Sequence, residues 1–260
     1  MIPPVLAGRL ILTLVFGFLY LPIAVVILLS FNAGGLPTVW SGFSLGWYLS
    51  LAHNGNILSA AWHTLLVALA ATGISTVLGT LLALGMETRT RRSRGLEALV
   101  FAPMIIPDIV LAVALLSFFS ALDVTLGLHT IIVSHVVFDL AFVCAVVRAR
   151  LKHFDFSIVE ASRDLGAGAV TTFRRITLPV ILPSVVAGAL LAFTLSMDEF
   201  IIAFFTAGAG HDSITLPMQI YSMIRFGVTP EINALAALVM AVSAAALILA
   251  QRLNPGNSAS

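Results

Sequence analysis

Glu160-Ala161-Ser162-Arg163-Asp164-Leu165-Gly166, closed nine residues later by Ile176-Thr177-Leu178-Pro179, is a polar stretch in a chain that is otherwise mostly apolar. Basic residues surround it: Arg148, Arg150 and Lys152 precede it, and Arg163, Arg174 and Arg175 lie within it. Apolar runs long enough to cross a bilayer stand on both sides. A polar, ordered segment on the charged side of a membrane protein has few uses beyond touching something in the cytoplasm. The stretch therefore decides both the fold class and where function is to be sought.

Composition agrees. Hydrophobic residues make up 60% of the 260 positions and charged residues only 10%, and mean hydropathy is +1.08. Soluble domains carry about 25% charged residues, so an ordinary globular fold is excluded. The net charge of +1 carries no information, because placement matters and the sum does not. The single cysteine, Cys144, lies within an apolar run, which leaves no disulfide framework and no cysteine-based metal site. The apolar run from Leu10 to Leu29 exceeds the 7–15 residues of a signal-peptide core, and no A-x-A-like cleavage site follows closely, so it reads as a retained first span.

The expected fold is an all-α polytopic membrane protein with about six transmembrane helices, near residues 10–30, 60–85, 97–120, 130–150, 181–206 and 233–251. Arg89, Arg91, Arg92 and Arg94 fall between the second and third spans, and a second basic group from Arg148 to Arg175 lies between the fourth and fifth. Arg9 precedes the first span, Arg252 follows the last, and only Arg225 falls on the opposite side. Positive charge is retained on the cytoplasmic face, which places both termini there.

The segment Phe31 to Ser59 is then external, as is Ala207 to Ile232, in which Leu216, Ile220 and Met223 suit one face of a short surface helix. Trp40, Trp47 and Trp62 are expected at the outer interface. Pro179 and Pro183 open the fifth span and Pro230 opens the sixth, where a missing N–H costs least. Pro103 and Pro107 instead fall inside the third span and should break or kink it.

Local physics gives the polar stretch a shape. Ser157-Ile158-Val159-Glu160 reads as a capping box that starts a helix. Ile158, Ala161 and Leu165 share one helical face, with Arg163 and Asp164 turned elsewhere. Gly166 suits the left-handed conformation that ends a helix. A second helical piece, with Val170 and Phe173 as apolar points, is expected to run to Ile176 before Leu178-Pro179 turns the chain back into the membrane. The result is two short helices meeting at a glycine elbow.

On these residues the chain resembles the permease subunit of ABC importers, whose cytoplasmic EAA loop has the pattern E-A-A, three residues, G, nine residues, I-x-L-P. The one departure is Ser162, where the third position is usually Ala. Further segments are similar to the spermidine/putrescine branch of that family: Ser30-Phe31-Asn32, Pro107-Asp108-Ile109-Val110, Ser134-His135, Leu151-Lys152-His153-Phe154-Asp155, Phe193-Thr194-Leu195-Ser196-Met197-Asp198-Glu199, and Gly227 to Leu235. The resemblance implies a type I importer permease fold over residues 1–260, with a coupling loop over 152–180. It implies an ATPase-coupling role for Glu160, Ala161, Ser162, Asp164, Gly166, Ala167, Phe173, Ile176, Leu178 and Pro179. It further implies two ATPase subunits carrying the ATP and Mg, a second homologous permease, an extracytoplasmic solute-binding protein, and a small cationic solute.

Independently of the resemblance, the sequence has no G-x-x-x-x-G-K-[ST] loop, and its lysine, Lys152, has no glycine nearby. Energy for alternating access must then arrive through contact with another subunit. Asp108, Asp139, Asp198 and Glu199 fall in or near apolar spans, where a carboxylate costs on the order of 2.5–3.5 kcal/mol at mid-bilayer. Asp198, then Asp108, with Glu199 and Tyr221 beside them, are the candidates for a cation path. Asp139 is expected to pair with His135 four residues earlier. His129 and His135 lack any metal-ligand spacing, so no metal is expected, and nothing points to nucleic acid. An intramembrane protease is disfavoured because neither Gly-x-Gly-Asp nor Gly-x-Ser-Gly occurs. An ion-driven secondary transporter would leave the glycine elbow without a purpose.

Overall fold

The computed structural model describes residues 4–35, 39–87, 94–225 and 227–253. The chain is helical almost throughout, and α-helices run in the order α1 (Pro4–Leu29), α2 (Gly46–His53), α3 (Gly55–Glu87), α4 (Arg94–Ile105), α5 (Asp108–Ala121) and α6 (Leu128–Leu151). They continue as α7 (Ser157–Asp164), α8 (Ala169–Thr172), α9 (Leu178–Asp198), α10 (Ile201–Thr206), α11 (Leu216–Arg225) and α12 (Pro230–Leu253). Among the described residues, four helices are long and apolar enough to cross a membrane, and α4 with α5, bent by 111° where they meet, makes a fifth when the pair is counted as one span. α12 has the length of a sixth. Arg89, Arg91 and Arg92 lie outside the described residues.

Two compact units result, Met1–Leu58 with Gln219–Ser260, and Ser59–Met218. In the first, α12 packs on both α1 and α2. The stretch after α1 is organised by Asn32, which is fully buried. Its side chain donates to the Val39 carbonyl at 2.7 Å and accepts from the Ser41 N–H at 2.8 Å. Its carbonyl accepts from the Trp47 indole N–H at 2.8 Å. Trp47 therefore spends its polar edge on the loop itself, while Trp40 and Trp62 are exposed.

The second unit is built around α6. Its apolar window is 61% buried, against 33% for α3 and 22% for the helical run ending in α9. Val143 of α6 is gripped from both sides by helices carrying glycine. A methyl group on Gly79 of α3 would meet Val143 side-chain atoms at 2.9 Å, and one on Gly188 of α9 would meet Val143 at 3.4 Å. Without a side chain at either position, both helices approach the axis of α6 closely, as small residues allow between membrane helices.

At one end of α6, Arg148 is only 8% exposed. Its Nε donates to Glu87 of α3 and its Nη2 to Glu97 of α4, each at 2.6 Å, and the guanidinium lies over the Phe101 ring. The planar fork suits this two-helix bridge as a lysine ammonium would not. The sequence counted Arg148 among the free cytoplasmic charges; here it is neutralised by two carboxylates.

Prolines shape the third span as expected. Pro107 has no N–H to donate to the carbonyl of Pro103, and with φ −55° and ψ 136° it steps out of helical conformation before α5 begins at Asp108. The fifth span is also broken, which the sequence reading did not foresee: Glu199 is extended at ψ 111°, and α10 restarts at Ile201. α10 then packs on α5 and α6 through Ile202, Ala112 and Phe138. The Thr130 hydroxyl donates to the Thr206 carbonyl at 2.7 Å, tying the start of α6 to the end of α10.

Replacing Arg148 by Met leaves two carboxylates without their cation. Loss of one partner of a buried pair costs about 3–5 kcal/mol. A lower thermal midpoint of the solubilised protein is expected, and Arg148→Lys should recover only part of it.

Candidate functional site

The elbow begins on a different cap from the one the sequence suggested. Ser157 is already the first helical residue, and no capping box with Glu160 forms. The Asp155 carboxylate instead accepts from the Ser157 N–H at 3.0 Å. A charged acceptor at a helix start outcompetes a hydroxyl, because it also meets the positive end of the helix dipole. Bonds from the Ser157 hydroxyl and N–H hold the Asp155 carboxyl below its ordinary value. The cap is therefore present at neutral pH and is lost only as pH falls through that depressed value. Glu160 is left exposed on the first turn.

The other end of α7 closes as a Schellman motif. Gly166 takes φ +84°, its N–H bonds the Arg163 carbonyl at 2.9 Å, and the Ala167 N–H bonds the Ser162 carbonyl at 3.1 Å. Beyond it, α8 does not end at Ile176. A π turn over Phe173–Thr177 carries it directly into α9, so one helical run spans Ala169–Asp198. Pro179 falls in the first turn of α9, just past the π turn, so the continuous run lacks one N–H donor there.

Ser162 explains itself here. It is 8% exposed, and its Oγ bonds the Thr172 Oγ1 at 3.0 Å, joining the two arms of the elbow. An alanine would make no such bond. On the same side, Phe156 and Val159 pack against the core that includes Val143, Val147, Leu151 and Ile181, and Phe154 meets Phe156 edge to face at 5.0 Å. The opposite side is left open. Leu165 is 89% exposed and Val170 71%, and Ile158 and Ala161 are exposed beside them. Arg163, Asp164, Arg174 and Arg175 are exposed too, while Ala167, Phe173, Ile176 and Leu178 are half-buried. An apolar knob rimmed by charge therefore projects from the elbow.

The carboxylates occupy helix breaks. Asp108 is the first residue of α5, Asp198 the last of α9, and Glu199 follows in the gap before α10. The expected 100° separation of Asp198 and Glu199 around one helix does not apply, since no helix continues through them. Glu199 Oε1 accepts from the Ile202 N–H at 2.8 Å, satisfying a donor that the break exposes. Glu199 lies within electrostatic range of Asp108 on one side and Asp139 on the other. Asp198 is exposed.

The expected pairing of Asp139 with His135 is absent. His135 Nδ1 bonds the Ser196 Oγ at 2.7 Å, and neither carboxyl oxygen of Asp139 has a hydrogen-bond partner among the described residues. The adjacent hydroxyl and close packing between α6 and α9, invisible in the sequence, redirect the imidazole. Tyr221 lies on α11, half exposed.

Residues 75–257 match the family described as binding-protein-dependent transport system inner membrane component. The spermidine/putrescine transport system permease protein PotC of Haemophilus influenzae is 38% identical over 94% of this chain and 95% of its own length. The putrescine transport system permease protein PotI of Escherichia coli is 42% identical over 88% of this chain and 84% of its own. Among solved structures, a bacterial ABC transporter that imports the acidic polysaccharide alginate covers 98% of this chain and is itself covered to 96%, with a TM-score of 0.76 at 18% identity. The MetNI methionine ABC transporter covers 74% and is covered to 91%, with a TM-score of 0.60 at 24% identity. Coverage of nearly whole chains by fold and by sequence leads to one conclusion: this chain belongs to the inner membrane components of binding-protein-dependent transport systems, as a permease subunit of an ABC importer.

Proposed function

We propose that this permease forms half of the pore of an ATP-driven importer of polyamines, spermidine and putrescine foremost, or of a related organic cation or amino compound. The similarity to PotC and PotI over most of the chain supports the solute class. The carboxylates at the α4–α5 and α9–α10 breaks supply the sign of charge that a cationic solute needs along its route. A second, homologous permease completes the pore, and an extracytoplasmic binding protein delivers the solute to the outer loops. Two ATPase subunits, holding ATP and Mg, seat on the elbow. Both termini face the cytoplasm in this arrangement, on the side of the exposed Arg163, Arg174 and Arg175.

The observation that carries the reading is the open apolar knob of Ile158, Ala161, Leu165 and Val170 on an elbow closed by backbone bonds at Gly166 and Ala167. Apolar side chains outside the spans face neither lipid nor the core of their own chain, which marks a contact surface. The elbow's rigidity serves the same end: a joint that yields cannot bias the states of the helices behind it.

Reconstituted vesicles containing the complex and its binding protein test this through uptake of labelled spermidine or putrescine. Transport should require ATP; full-rate uptake without the ATPase would favour an ion-driven transporter instead. Gly166→Pro removes the N–H bonded to Arg163 and forbids positive φ, and Glu160→Lys reverses charge on the exposed first turn. Both should abolish uptake while leaving membrane insertion intact. Ser162→Ala deletes one buried hydrogen bond, worth about 1 kcal/mol, and should speed amide exchange over residues 157–166 without unfolding the spans. Asp198→Asn should raise the KM for the cation, and unchanged kinetics would remove Asp198 from the path.

A further inference from the structure

Helical hydroxyls in this protein have a habitual partner. Thr13, Thr64, Ser117, Ser134, Thr194 and Thr206 each donate to the carbonyl four residues earlier in their own helix. Thr72, Thr76 and Thr80 break the habit. They follow one another at helical spacing along α3, their Oγ1 atoms are buried, and none has a hydrogen-bond partner among the described residues. A buried hydroxyl turned from its own backbone carbonyl forgoes an available bond, so its oxygen is aimed at something else.

The facing helix supplies the other half. Val67 packs with Ile131, Gly79 against Val143 and the Leu140 carbonyl, and Glu87 with Arg148. α3 and α6 therefore run parallel and in step. One turn back from Gly79 and Val143, this register sets Ser75 and Thr76 at the level of Asp139 and Leu140; the Ser75 hydroxyl donates to the Thr72 carbonyl, which leaves Thr76 as the open hydroxyl there. α9 repeats the alignment from its side, with Gly188 against Val143 and Ser196 on His135. Between those two contacts stands Ala192, fully buried.

Asp139 is fully buried, and both of its oxygens are unpartnered. The Nε2 of His135, one turn earlier, is unpartnered too. Arg148, the next basic residue along α6, is occupied by Glu87 and Glu97. Glu199 lies within electrostatic range of Asp139, and Asp108 within range of Glu199. A carboxyl group in such a place is neutralised by a proton or by a bound cation, and no described basic side chain pairs with it.

We propose that the α3–α6–α9 core holds one small monovalent cation, of sodium size, on the Asp139 carboxylate and the Thr72 and Thr76 hydroxyl oxygens, with Thr80 extending the row. Hard cations take carboxylate and neutral oxygen ligands. A single carboxylate balances a single charge, which selects a monovalent over a divalent ion. The bound ion ties α3 to α6 at the level between the Val143 contact and the His135–Ser196 bond. This is separate from the solute route proposed above and stands whichever solute is carried.

The experiment is thermal unfolding of the assembled transporter in lipid nanodiscs, comparing sodium chloride with choline chloride at equal ionic strength. The wild-type protein should show a saturable sodium-dependent rise in midpoint of about 2–4 °C, the change that about 1 kcal/mol produces in chains of 150–250 residues. Asp139→Asn should abolish the rise, and Thr76→Val, which keeps shape and removes the oxygen, should move it to higher sodium. Binding of radioactive sodium to the wild-type complex gives a readout should Asp139→Asn fail to fold. No sodium-dependent difference in the wild type, as expected if Asp139 carries only a proton, overturns the proposal. A rise unchanged in both variants also overturns it.

Discussion

The close approach of α3 and α9 to α6 at Val143 is the contact on which the second unit depends. Apolar surface drives little helix association in a membrane, because lipid tails are as apolar as leucine. What remains is packing, and packing needs surfaces that come near one another. Gly79 and Gly188 provide them by having no side chain to hold the helices apart. Once the three helices meet there, buried polar contacts on either side fall into register. The His135–Ser196 bond forms toward one end, and Arg148 reaches Glu87 and Glu97 toward the other.

A second constraint acts where helices stop. Backbone groups freed inside a membrane must find partners within the protein. At the α9–α10 break the chain meets this with Glu199, which accepts from the first turn of α10, while Asp108 stands at the restart of α5. One residue type thus does structural duty while setting the electrical character of the region. The capping role of Glu199 does not compete with an electrostatic one, since a carboxylate has more lone pairs than a single N–H occupies.

Much of this was legible in the sequence, and what was not has identifiable causes. Apolar runs and basic clusters mark the spans because insertion energetics act residue by residue, without knowledge of neighbours. The bend at Pro107 and the left-handed Gly166 were equally readable, each being a property of one residue's own backbone. The break at Glu199 was not, because neither glycine nor proline marks it; it is imposed by α10 packing on α5 and α6. The cap on α7 was misassigned between two adequate acceptors, Asp155 and Ser157, separated by geometry alone. The Asp139–His135 pairing failed because Ser196, remote in sequence, took the imidazole. The resemblance singled out Ser162 only as a departure from pattern, and its bond to Thr172 appears when the two arms are folded together.

The unbroken run from α8 through the π turn into α9 has a mechanical corollary. A flexible linker at this point would absorb a push as local bending and pass on little. Here no loop lies between the tip near Ala169 and the far end of α9 at Asp198. Displacing the tip must therefore tilt or rotate α9 as a stiff lever, with the glycine contact at Val143 as its fulcrum. Small movements at one arm then emerge at the other beside Glu199, where the helix gives way.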